Sequence, residues 1–173
     1  MNLVQALQRQ HSKARCQRIV EWVGTDPARF GALVDVFLAG NYRLTQRAAW
    51  PLSHCVKGNP GLAAPHLSVL LRNLKKPSLS DAVKRNTIRL LQFVKFPRRH
   101  QGLAMQVATV LFTNRQEAIA IRVFAMTVLA NLAGQNPELT NELLSMIEEE
   151  MPYGSPAFRS RGARTIRQLQ GLK

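Results

Sequence analysis

Residues 81–97 read DAVKRNTIRLLQFVKFP and contain the start, the body and the end of one amphipathic helix. Ser80 and Asp81 carry side-chain oxygens that can accept hydrogen bonds from the unpaired N–H groups at a helix start. Apolar or small side chains recur at helical spacing and predict one buried stripe: Val83, Thr87, Leu90, Leu91 and Val94. Pro97 cannot continue a helix, so the pattern predicts that the helix ends there.

The same pattern returns along the chain at a nearly constant interval. Arg85 has equivalents in three other stretches, at Arg47, Arg122 and Arg161, and the successive steps are 38, 37 and 39 residues. A further apolar helical run follows the proline that ends each of the first three copies, and residues 15–27 resemble a fifth, degenerate copy. A repeat of this length, built from two helices, predicts a stacked helical-repeat architecture.

Two of the copies share a more specific order of residue types. In each, an acidic residue precedes a β-branched residue and an arginine: Asp81, Val83 and Arg85 in one, Glu117, Ile121 and Arg122 in the other. In this order the chain resembles HEAT repeat proteins, and it is similar to small bacterial HEAT-like proteins over nearly its whole length. The resemblance implies a right-handed α-solenoid of about four to five HEAT-like helical hairpins.

Strand patterns are absent from the sequence, so we predict an all-α fold. Each repeat is too small to bury its apolar face alone, and we therefore expect residues 1–173 to form a single domain. The predicted units are an N-terminal cap or degenerate unit at 1–25 and repeats at 26–60, 61–97, 98–137 and 138–173.

One predicted helix, Tyr42–Lys57, contains Pro51 in its interior. Proline removes one backbone hydrogen bond and its ring clashes with the preceding turn, so we predict a kink or a break after Ala49. Such a bend has two interpretations. It opens a pocket near Trp50 and His54, or it only sets the curvature of the stack.

Several classes of protein have no support in the sequence. The first residues, MNLVQALQRQHSK, are polar, and the longest stretches without a charged residue are 15 residues, so we expect neither a signal peptide nor a membrane span. Cys16 and Cys55 lack the spacing of a metal site, and we predict reduced, buried thiols. The reduced thiols favour a cytoplasmic protein, and because Walker, Rossmann, zinc and triad patterns are missing, we expect no cofactor and favour a non-enzymatic protein.

The net charge of +14 is concentrated in the middle of the chain. Residues 36–116 hold 13 basic residues and one acid, Asp81. This excess predicts a surface for an acidic partner, either a nucleic acid backbone or an acidic protein. The candidate binding residues are Arg47, Lys75, Lys76, Arg85, Arg89, Arg98, Arg99 and Arg115. Arg85 and Arg122 have a second interpretation, as arginines that pair with acids of adjacent repeats.

Two other functions remain open at this point. The chain also resembles, as a shorter relative, the HEAT-like DNA glycosylases that excise alkylated purines. That resemblance implies a basic groove with an aspartate and tryptophans near the lesion, for which Asp81, Trp22 and Trp50 are the candidates. The other function is a protein–protein scaffold that uses an exposed apolar face around Met126 and Leu129.

Overall fold

The computed structural model describes residues 1–9, 12–39 and 41–171, and these residues form helices joined by short turns. No strand occurs among them, so the predicted all-α fold class is confirmed. The α-helices are α1 Leu3–Gln8, α2 Lys13–Val23, α3 Pro27–Ala39, α4 Tyr42–Gly58, α5 Leu67–Asn73, α6 Asp81–Leu91, α7 Arg98–Thr113, α8 Ile119–Gln135, α9 Thr140–Glu150 and α10 Pro156–Gln170. Short 3-10 segments lie at Pro60–His66, Pro137–Leu139 and Met151–Tyr153.

Most of the helices in the first half begin where the sequence supplies a capping side chain. Asn2, Ser12 and Asn41 each accept a hydrogen bond from a backbone N–H in the first turn of α1, α2 and α4. Before α3, Asp26 accepts from two backbone N–H groups, at 2.8 and 3.1 Å. These caps matter because the first N–H groups of a helix have no partner within the helix itself.

Helix α6 carries the predicted buried stripe but ends earlier than predicted. Of the stripe, Val83 is half-buried and the other four residues are buried. The helix ends at Leu91, because the N–H groups of Phe93 and Val94 bond to carbonyls only three residues back and tighten the last turn. Pro97 instead precedes the next helix, α7. Ser80 lies at the N-cap position, although its side chain does not cap the helix.

The chain divides into two compact units, Met1–Val94 and Lys95–Lys173. The N-terminal unit is built around α4, which packs against α1, α2, α3 and α6. The C-terminal unit is built around α8, which packs against α7, α9 and α10. The single domain over residues 1–173 and its repeat boundaries stay predictions.

Pro51 does not interrupt its helix. Because α4 continues from Tyr42 to Gly58, the predicted break after Ala49 is wrong. Pro51 is buried and lines a small hollow together with Leu7 and Cys16. The four helices that pack against α4 hold it in place where proline removes one backbone hydrogen bond.

The apolar face around Met126 and Leu129 is not exposed. Both residues lie in α8 and are at most 1% exposed. A helix that is apolar on all sides is stable in water only when other elements surround it, and α7, α9 and α10 do so here. The predicted scaffold surface at these two residues is therefore wrong.

The two cysteines are buried, unpaired thiols in the N-terminal unit, as predicted. Burial raises the pKa of Cys55 to about 12 and also raises the pKa of Cys16. Both side chains therefore stay protonated at neutral pH and act as small apolar groups in the core. Across the described ranges, no helix combines the length and the hydropathy needed to cross a lipid bilayer.

Candidate anion-binding groove

Helices α4 and α6 pack side by side in the N-terminal unit and leave an open groove of about 330 Å³ between them. This α4/α6 groove is lined by Gln46, Arg47, Ala49 and Trp50 from α4 and by Arg85, Asn86 and Arg89 from α6. Three of the eight predicted binding residues, Arg47, Arg85 and Arg89, therefore lie along one groove.

The helical spacing of the sequence places these side chains together. Arg85 and Arg89 are four residues apart on α6, so they lie one turn apart on the same face. Gln46 and Trp50 have the same spacing on α4, and Arg47 lies three residues before Trp50. The opposite faces of both helices carry the apolar residues of the core, which turns the polar rows towards the groove.

The lining of the groove carries positive charge without a carboxylate. Arg85 and Arg89 are exposed, and within the described ranges neither forms an ion pair with an acid. Asp81 does not line the groove: its side chain is 71% exposed, and one of its oxygens lies 3.8 Å from the Lys84 amine. The positive potential of the groove is therefore not neutralised from within its own lining.

Arg47 has a second role inside the protein. Its Nη1 donates to the backbone carbonyls of Leu7, Gln8 and Arg9, at 3.0, 2.6 and 2.9 Å. These carbonyls lie at the end of α1, where helical carbonyls lack partners in the helix. Arg47 is half-buried, so it fixes α1 against α4 while it also lines the groove.

Trp50 supplies the aromatic surface of the groove. It is half-buried, and the centroid of its ring lies 6.0 Å from the centroid of the exposed His54 ring. A hollow near Trp50 was one interpretation of Pro51, but His54 is not among the lining residues. Packing of α4 against α6 forms this groove, whereas a break at Pro51 does not contribute to it.

The other predicted binding residues lie elsewhere. Lys75 and Lys76 are exposed in the turn that follows α5, outside the groove lining. Arg98 and Arg99 are exposed in the first turn of α7, in the C-terminal unit. Cations at a helix start are disfavoured by the helix dipole, so the fold of α7 gives no reason for these two charges.

Arg115 and Arg122 share one carboxylate in the C-terminal unit. Arg115 donates to both oxygens of Glu150 at 3.0 Å and lies 3.6 Å from the centroid of the Tyr153 ring. Arg122 is buried and donates to Glu150 at 2.8 Å and to the carbonyl of Phe112 at 2.9 Å. The interpretation as a repeat arginine paired with an acid of an adjacent repeat therefore describes Arg122, whereas Arg85 has no such partner among the described residues.

This pairing also affects the ionisation of Glu150. The hydrogen bonds from Arg115 lower the pKa of Glu150 below its ordinary value of 4.5, and the charges of both arginines act in the same direction. Glu150 is thus a carboxylate at neutral pH, and Arg115 is already neutralised by it.

Two polar residues of the groove were not among the candidates predicted from the sequence. Gln46 directly precedes Arg47, and Asn86 directly follows Arg85. Their positions beside Arg47 and Arg85 were the signal available in the sequence. Residues next to these arginines on the polar sides of α4 and α6 lie close together because the two helices pack against each other. Across the described residues, no cluster of three or more His, Cys, Asp or Glu side chains could hold a metal ion.

The paired helices and the repeating arginine positions define a helical-repeat protein. A family model described as a HEAT repeat domain matches residues 3–169, and the chain therefore belongs to the HEAT repeat family. Comparison with curated proteins and with solved structures gives no match. The family assignment supports a helical-repeat scaffold or binding module.

Proposed function

We propose that this protein is a non-enzymatic binding module and that its α4/α6 groove binds the phosphate backbone of a nucleic acid. The observation that supports this most strongly is the convergence of Arg47, Arg85 and Arg89 on one groove whose lining holds no carboxylate.

The chemistry of arginine suits this ligand. Its planar guanidinium presents several N–H donors in a fixed arrangement that matches phosphate oxygens. A nucleic acid offers such groups at regular intervals, and binding releases the counterions condensed around them. Gln46 and Asn86 each use one amide N–H inside the protein, to the Tyr42 hydroxyl and the Ala82 carbonyl, and the second N–H of each adds a neutral donor to the groove.

The surrounding charge favours a polyanion over a small acidic patch. The N-terminal unit, residues 1–94, holds 14 basic and four acidic residues, and its net charge of +10 exceeds what three arginines supply. Such an excess attracts a long, evenly charged partner from a distance and accelerates its association. An acidic protein is the competing partner, and titration with both kinds of polyanion distinguishes the two.

The glycosylase function gains no support from the groove. Trp50 lies in it, but the candidate aspartate, Asp81, is outside the lining and beside Lys84. Activation of a water molecule by a carboxylate requires the carboxylate within hydrogen-bond reach of the reacting group. We therefore propose binding without catalysis. Release of methylated purines by the wild type, lost in Asp81→Asn, would contradict this proposal.

A tryptophan in the groove provides the binding assay. The chain has two tryptophans, and Trp22→Phe leaves Trp50 as the single fluorescent reporter in the groove. We expect its emission to change and saturate on titration with duplex DNA or RNA at low salt. Poly-glutamate, as an acidic polypeptide, should bind more weakly at equal charge concentration.

Substitutions in the groove test which residues bind. Arg85→Gln and Arg89→Gln should each weaken binding about fivefold to tenfold, since each removes charge-assisted hydrogen bonds to phosphate. Arg72→Gln is the matched control, because Arg72 is an exposed arginine on α5 of the same unit and lies outside the groove. Equal effects of all three substitutions, or tighter binding of poly-glutamate than of either nucleic acid, would overturn the proposal.

A further inference from the structure

A second positively charged hollow lies between α1 and α2 in the N-terminal unit. It has a volume of about 250 Å³. Its polar lining consists of Asn2, which caps α1, of Gln5 from α1, and of Arg9, Arg15 and Arg18. Ile19 forms part of its apolar lining. We call it the N-terminal arginine pocket.

Local sequence builds this pocket. Arg15 and Arg18 are three residues apart on α2 and therefore lie on one face of that helix. Ser12 caps α2 by accepting from the backbone N–H of Arg15 at 3.2 Å. Arg9 follows the end of α1, which Arg47 holds in place through three carbonyls. The arginines are thus brought together by elements that are themselves fixed.

The charge of the pocket is unbalanced. Residues 1–20 contain no acidic residue, although they include four basic ones. The acid of α2, Glu21, accepts a hydrogen bond from Gln17 at 3.1 Å and does not line the pocket. Three guanidinium groups around one hollow repel each other, and an anion between them would remove that repulsion.

One donor of the pocket lacks a partner. The Nε of Arg15 is buried and has no hydrogen-bond partner among the described residues. Buried donors of folded proteins are nearly always satisfied, so an unsatisfied one requires a specific explanation. An acceptor oxygen bound in the pocket satisfies this donor once the Arg15 side chain rotates, because its Nε is shielded from solvent in the present conformation.

We infer that the N-terminal arginine pocket binds a phosphate monoester. This group carries close to two negative charges at neutral pH and three strong acceptor oxygens, which suits three guanidiniums better than a single carboxylate does. The side chains of Asn2 and Gln5 can bond to the atoms that carry the phosphate. The volume lies just below the usual range for small-molecule sites, so the pocket holds a phosphate group and little of the rest of its molecule.

A phosphate monoester can come from two sources. One is a small phosphorylated metabolite. The other is the terminal phosphate of a nucleic acid strand. The pocket itself is independent of the function proposed for the α4/α6 groove, because the two share no lining residue.

Calorimetric titration of the whole protein with inorganic phosphate tests the pocket directly. We expect saturable binding at low ionic strength, with affinity at least about tenfold higher than for acetate, and a loss of about tenfold in Arg15→Gln and in Arg18→Gln. Arg18 is exposed, so Arg18→Gln keeps the test valid even where Arg15→Gln disturbs the fold, which circular dichroism detects. Arg72→Gln is the matched control and should bind phosphate as the wild type does, because Arg72 is exposed on α5 and lines neither the pocket nor the groove. Absence of saturable binding, equal affinity for acetate, or wild-type affinity in Arg18→Gln would overturn the inference.

Two oligonucleotides identify the source. A ten-nucleotide strand with a 5′-phosphate is compared with the same strand ending in a 5′-hydroxyl. Tighter binding of the phosphorylated strand, lost in Arg18→Gln, supports the pocket and assigns it to strand ends. Equal binding of both strands, with saturable inorganic phosphate binding that Arg18→Gln abolishes, supports the pocket and assigns it to a small molecule. The two sites are tested by different measurements: Arg85→Gln should weaken binding of the 5′-hydroxyl strand if the groove binds nucleic acid, and Arg18→Gln should weaken binding of inorganic phosphate if the pocket binds phosphate.

Discussion

At the scale of single residues, the two arginines that share Glu150 differ in their surroundings. The side chain of Arg122 is 6% exposed, whereas that of Arg115 is 51% exposed. Arg122→Ala should lower the free energy of unfolding by about 3 kcal/mol, because it breaks a buried ion pair and leaves the Phe112 carbonyl without its donor. Arg115→Ala should cost clearly less, since water replaces an exposed partner. Urea denaturation measures both, and equal losses would contradict this difference in burial.

The depressed pKa of Glu150 leads to a pH dependence of stability. Its folded-state pKa lies below the ordinary value of 4.5, so its contribution to stability is present above that pH and is lost as the pH falls through the folded pKa. The stability advantage of the wild type over Glu150→Gln should therefore be constant between about pH 6 and pH 7.5 and should shrink below about pH 4.5. An advantage that grows on acidification would show that Glu150 is not held ionised by its arginines.

At the scale of elements, the stability of α8 should depend on the helices packed around it, because α8 has no polar face to expose to water. Met126→Ala should lower the free energy of unfolding by about 2–5 kcal/mol, because it opens a cavity in a fully buried site. Val110→Ala on α7 should change it by less than about 0.5 kcal/mol, since Val110 is 60% exposed. Similar effects of the two substitutions would place Met126 at the surface.

The elements show which features a sequence pattern can predict. Ser80 is a capping residue type that lies at the N-cap position of α6 without capping it, whereas the stripe of α6 was predictable because burial follows the helical period. The early end of α6 and the continuity of α4 through Pro51 were not. The end of α6 follows from the bonds of Phe93 and Val94 to carbonyls three residues back, and the continuity of α4 depends on tertiary packing, which can stabilise a helix across a proline.

The candidate groove was predictable only in part for a similar reason. Charge counting identified Arg47, Arg85 and Arg89, since a single acid was available to neutralise residues 36–116. The count of charges could not show that Arg115, unlike these three arginines within the described part of the chain, is paired with an acid, because its partner Glu150 is 35 residues away along the chain. The N-terminal arginine pocket was missed altogether, because its charges lie outside that range and only folding brings Arg9 beside Arg18.

At the scale of the whole molecule, the predicted single domain has a direct consequence for unfolding. Both tryptophans lie in the N-terminal unit, whereas circular dichroism at 222 nm reports on the helices of both units. If residues 1–173 unfold cooperatively, tryptophan fluorescence and circular dichroism should give the same urea midpoint. Two separate midpoints would mean that Met1–Val94 and Lys95–Lys173 unfold independently.

The salt dependence of nucleic acid binding tests the central claim most directly. If the α4/α6 groove neutralises backbone phosphates, the logarithm of the association constant for duplex DNA should fall linearly with the logarithm of the salt concentration. The double substitution Arg85→Gln and Arg89→Gln should reduce that slope by about two, or roughly 0.9 for each phosphate that an arginine no longer neutralises, while Arg72→Gln leaves it nearly unchanged. A slope that is the same in the double variant as in the wild type would contradict binding in this groove.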